Sequence, residues 1–236
     1  VLLRLVVLQR RLHGRPQVPE EVHVRLLGCA QPLLPLQRDG HLLIVGAASA
    51  LAVVFAAALW GKVSHAGFVE YRRSAGLLWP GSTPLTPTMR HVLAVAVLGA
   101  EAVVTVVLIA GVVLTVPGGG WWAVWALSAG FLVAAVLLGA FTVGHAVARG
   151  RGRVVPCACF GRTTTTAPAA AMVRNGVLLV VAVAGLVFAL LDADVAAAEE
   201  VLVAVLAGSV SGLLLVNMEE LMGVFGSSRV ALRERP

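Results

Sequence analysis

Two thiols one residue apart, Cys157 and Cys159, sit in the stretch Gly150-Arg-Gly-Arg-Val-Val-Pro-Cys-Ala-Cys-Phe-Gly161. Thiol chemistry runs through the thiolate, which cationic neighbours favour. Arg149, Arg151, Arg153, Arg162 and Arg174 flank the pair, and no carboxylate interrupts residues 149 to 174. Thiols this close can join in a small, strained disulfide that is easier to reduce than a structural bridge. Pro156 and Gly161 would hold the pair in a turn. The bland alternative is two incidental cysteines beside a basic run that sets topology. Cys29, the third cysteine, lies far upstream, and three are too few for a disulfide scaffold.

Charges inside otherwise apolar stretches are the second place to look for chemistry, because they are costly in a bilayer and need a compensating role. Lys62, the only lysine of the chain, closes one apolar run and Glu101 interrupts the next. A lysine can snorkel, so a Lys62–Glu101 pair is geometrically reasonable. It would serve either as a pin between helices or as a proton-handling site. His65, His91 and His145 fall towards the same side of the chain, but their spacing matches no ordinary zinc pattern, and neither does a Cys-x-Cys pair. No metal site is expected, and His145 reads as an interfacial hydrogen-bonding residue.

The elements that carry these residues are membrane spans. Apolar residues make up 59% of the 236 positions and charged residues 13%, with a mean hydropathy of +0.93. A soluble chain of this composition would expose aggregating apolar surface. About five helices long enough to cross a bilayer can be drawn: 42–60, 92–116, 121–147, 173–191 and 201–218. Trp121, Trp122 and Trp125 open the third like an interfacial belt. Pro117-Gly118-Gly119-Gly120 is a tight turn, and 62–79 reads as an amphipathic surface helix. The fold class is therefore an all-α polytopic bundle.

Residues 1–40, rich in Arg, Pro and Gln, are expected to be a tail or upstream sequence included by a misplaced start, so Cys29 is set aside. Residues 41–220 form the transmembrane domain, and 221–236 a short C-terminal tail. The net charge of +6 sits in loops rather than in a stripe interleaved with aromatics. It suits anionic headgroups and gives no support to nucleic acid as a partner. We call the face that carries the loops after the first and third spans side A. It holds twelve Lys/Arg, while the side B loops hold none and the N-terminal tail six. The positive-inside rule makes side A, with Cys157, cytoplasmic.

Gly61-Lys62, Glu101, the Arg-Gly-Arg run, Cys157-x-Cys159-Phe160-Gly161 and Arg174-Asn175 resemble the methylamine-utilisation MauE family, related to the DoxX-like membrane proteins. The resemblance covers about residues 42–191 and implies a DoxX-like four-helix core plus one. It also implies a role in processing, export or disulfide formation of the methylamine dehydrogenase small subunit, beside a thioredoxin-like partner. Cys157 and Cys159 would then be the redox pair, with Lys62, Glu101, Arg174 and Asn175 as scaffold or proton-handling groups. Disulfide formation belongs outside the cytoplasm, which conflicts with the charge bias. Two other readings stay open: a non-catalytic docking factor that uses the basic side A surface, and a small-solute or quinone-binding carrier with Glu101 lining a cavity. Quinone is thus the one candidate cofactor, and whether the protein is an enzyme is left open by the sequence.

Overall fold

The computed structural model describes residues 34–79, 85–116, 120–152, 168–191 and 198–218. The chain divides into two compact units, Val1–Arg38 and Asp39–Pro236, and the second carries the features below. Among the described residues every element is a helix: α1 (Leu34–Val63), α2 (His65–Leu78), α3 (Pro87–Thr115), α4 (Gly120–Gly150), α5 (Pro168–Leu191) and α6 (Ala198–Val216).

Local chemistry explains the helix boundaries. Ser64 leaves the helical region and caps α2, its hydroxyl accepting from the Gly67 amide at 3.1 Å. Thr86 caps α3 in the same way, accepting from the Met89 amide at 3.3 Å, with Pro87 in the first turn where its missing N–H costs nothing. Beyond α4, Gly152 takes a left-handed φ of 69°, the usual way a helix is stopped.

Among the described residues, four stretches are long and apolar enough to cross a membrane: Gly40–Val63, Pro87–Thr115, Gly120–Gly150 and Met172–Leu191. The expected polytopic helix bundle is what forms. The fifth expected span corresponds to Glu200–Val216, a shorter apolar helix. The outer faces carry Val103, Val106, Ile109, Val136, Val180 and Leu190, each at least half exposed, which suits lipid rather than water.

A core of Leu51, Phe55, Leu108, Phe131 and Leu178 joins α1, α3, α4 and α5 into one bundle. α3 packs along α4, and α4 along α5. α6 lies against α1. A Cβ on Gly208 would land on the Gly46 carbonyl, and one on Gly212 would sit 2.7 Å from the Ala50 carbonyl, so the two backbones touch as only glycine permits. Because 46 meets 208 and 50 meets 212, α6 runs parallel to α1.

α2 is the expected amphipathic helix, but its inner face is spent on protein. Tyr71 and Ala75 pack on Ala94 of α3, with Phe68 and Val97 at the edge. α2 also touches α4, so it lies over the side A ends of two spans.

Candidate functional site

Among the described residues, Lys62 and Glu101 form a buried ion pair within the bundle. Lys62 Nζ donates to Glu101 Oε1 at 2.5 Å, and the two side chains are 0% and 2% exposed. Helix direction brings them together. Side chains lean towards the N-terminus of their own helix. α1 runs towards side A, so Lys62 in its last turn leans inward; α3 runs away from side A, so Glu101 leans outward to meet it. Thr105, one turn further along α3, donates its hydroxyl to the Glu101 backbone carbonyl at 2.8 Å. Glu101 Oε2 meets no hydrogen-bond partner among the described residues.

Tyr71 completes the pair. Its ring centroid lies 4.4 Å from Lys62 Nζ, and the residue is only 2% exposed. The ammonium thus has a carboxylate oxygen on one side and the electron-rich face of an aromatic ring on another. The sequence reading missed Tyr71. The available signal was that the chain's only lysine and only tyrosine lie nine positions apart, across a single helix break.

Arg174 and Asn175, in the second turn of α5, are 2% and 4% exposed. Arg149 Nη1 stands 4.0 Å from Met172 Sδ, which puts the end of α4 beside the start of α5. The segment joining those helix ends contains Cys157 and Cys159, which lie outside the described residues, as does Cys29. His145, near the end of α4, is buried, and its Nε2 finds no hydrogen-bond partner among the described residues. His65 and His91 are exposed, and His91 stands edge-on to Phe68 at 5.7 Å. No three His, Cys, Asp or Glu side chains gather as a metal site among the described residues.

The carrier reading asked for a cavity at Glu101. A cavity of about 900 Å³ does lie between α1, α5 and α6, lined by residues such as Gly46, Ala50, Val181, Val203, Ala207 and Ser211. Glu101 is not part of its lining.

The buried residues Lys62, Glu101, Arg174 and Asn175 are those through which the sequence resembles a known family. The family model described as methylamine utilisation protein MauE matches residues 40–188. The chain belongs to the MauE family. The match runs from the start of the first span almost to the end of α5, so the four-helix core, α2 and the Cys157-x-Cys159 segment all fall within it. α6 lies beyond it, as an added helix on the α1 face. No curated protein and no solved structure gives a significant match. This MauE protein is thus a multi-pass membrane protein of a methylamine-utilisation family.

Proposed function

We propose that this MauE protein assists maturation of an exported partner by thiol–disulfide exchange, with Cys157 and Cys159 as the exchanging pair. In the productive direction, two client thiols become a disulfide while the Cys157–Cys159 disulfide is reduced to two thiols. A thioredoxin-like disulfide partner or a quinone then takes the two electrons and two protons that restore it. The family suggests the methylamine dehydrogenase small subunit as client.

One observation carries the reading. The charged and amide side chains of the family pattern are not scattered along the bundle but buried in it, with Arg174 and Asn175 in the turns that immediately follow the cysteine segment. A membrane protein keeps buried charges only where they have partners and a task. The five arginines around the pair supply the electropositive setting that favours thiolate. Cys157→Ser and Cys159→Ser, each alone, should abolish formation of the client's disulfides in cells while leaving the membrane level of the protein unchanged. Normal client oxidation in either variant would sink the proposal.

A second reading has an observation of its own. Arg72, Arg73, Arg149 and Arg151 are exposed at the side A end. They could dock an acidic partner without any redox step. Under that reading the cysteine variants are harmless, and charge reversal at Arg151 and Arg153 abolishes partner binding.

A further inference from the structure

The chain's one lysine and one tyrosine are in contact, and the rest of α2 is built to keep them so. We propose that Tyr71 is the positioning residue of the buried pair: its ring holds the Lys62 ammonium against Glu101 and keeps it from escaping to the side A surface.

The argument begins with the lysine. An ammonium has three donors, and among the described residues one of them is spent, on Glu101 Oε1. The side chain is a flexible four-carbon stem in the last turn of α1, one residue from the helix break. Such a lysine ordinarily snorkels to the nearer interface. Here it points inward and is fully buried. A second carboxylate could have held it, at the cost of another buried charge. The ring face does so without changing the net charge of the group.

The ring is in turn placed by a rigid corner. The Ser64 cap fixes the turn from α1 into α2. At Gly67 a Cβ would collide with the Gly61 carbonyl, so α2 closes on α1 more tightly than any other residue would allow. At the far end Arg90 of α3 lies along Gly76, its Nε donating to the Leu85 carbonyl at 3.1 Å. Phe68 packs edge-on against His91. Tyr71 sits between these anchors, on the inner face of α2.

This inference takes its importance from the reading of Lys62 and Glu101 as a functional pair, but its test does not. Lys62 is the only side-chain amine, so acylation by an N-hydroxysuccinimide ester, read by peptide mass spectrometry, reports on that one site. The full-length protein would be used in lipid nanodiscs. Wild type should be protected, and Tyr71→Phe, which keeps the ring, should acylate within about two-fold of wild type. Tyr71→Leu, which keeps bulk but not the ring face, should react about ten-fold faster. Phe68→Leu, which removes one anchor of α2 but keeps the ring over Lys62, should react faster than wild type but clearly slower than Tyr71→Leu. Slow acylation of Tyr71→Leu overturns the proposal, as does Phe68→Leu reacting as fast as Tyr71→Leu.

Should Tyr71→Leu fail to fold, the wild-type protein supplies the test. With ¹³C-labelled lysine, the ε-methylene protons of Lys62 should show a single upfield, ring-shifted resonance. An unshifted signal overturns the contact. Either failure would leave client oxidation by Cys157 and Cys159 untouched, so the two proposals stand or fall separately.

Discussion

Lys62 and Glu101 show how a buried ion pair constrains its own mutagenesis. Removing one partner strands the other charge in an apolar bundle and costs about 3–5 kcal/mol, whereas replacing both by apolar side chains of similar size is often neutral. Lys62→Met and Glu101→Met should therefore each lower the unfolding midpoint in detergent sharply, and the double variant should recover most of the loss. Additive losses would mean that the contact of 2.5 Å contributes no coupling. The double variant also separates the two roles open to the pair. If it is stable and client oxidation is normal, the pair is a pin between α1 and α3; if stable and inactive, its charges serve the reaction. The pairing was legible in the sequence, because two lone charges in adjacent apolar runs have few other places to go. Tyr71 was not, since its contact depends on how sharply α2 folds back at Ser64, which the sequence does not state. Nor was the burial of His145, five residues from a helix end: it depends on how closely α2 and α5 pack on α4, which hydropathy does not state.

At the scale of elements, hydropathy found each long helix, because a bilayer demands long apolar runs with internally satisfied backbones, but α1 starts at Leu34 rather than 42, and α3 and α5 start five residues early, at Pro87 and Pro168. Hydropathy could not say which helices touch. The glycine spacing 208 and 212 is unremarkable in a chain with 25 glycines, and only the approach to the Gly46 and Ala50 carbonyls gives it meaning. Helix association in lipid depends on such close packing rather than on hydrophobic expulsion. Gly208→Leu should consequently lift α6 off α1, lowering the thermal midpoint by several degrees and making the segment before α6 more sensitive to protease. Gly99→Leu is the matched control, because a Cβ there meets nothing within 4 Å. If both variants behave alike, α6 is not held by this contact. Client oxidation measured on Gly208→Leu would also show whether α6, which lies outside the family match, is needed for function.

For the whole molecule, charge and chemistry pull in opposite directions. Twelve Lys/Arg on side A argue that its loops face the cytoplasm, while a disulfide-forming pair belongs on the other face. The fold narrows the question. α1, α3, α4 and α5 alternate in direction and α6 runs parallel to α1, so one measurement of sidedness orients every span at once. Trp60 is 84% exposed near the side A end of α1, and Trp121, Trp122 and Trp125 are exposed at the opposite end of α4, which suits anchoring at both interfaces but has no sign. Thiol trapping supplies the sign. On a Cys29→Ala background in intact cells, a membrane-impermeant maleimide labels Cys157 and Cys159 only if they face outward, and prior reduction shows whether they were oxidised. The charge bias predicts no labelling from outside and free thiols only after lysis. That result would exclude direct disulfide donation outside and leave two roles for the pair, relaying electrons from a cytoplasmic thiol or merely marking a docking loop. Labelling from outside only after reduction would invert the bundle, put the Tyr71-capped ion pair near the outer face, and make the positive-inside rule the part of the sequence reading that fails. The arginines around the cysteines would then be there for the thiolates rather than for topology.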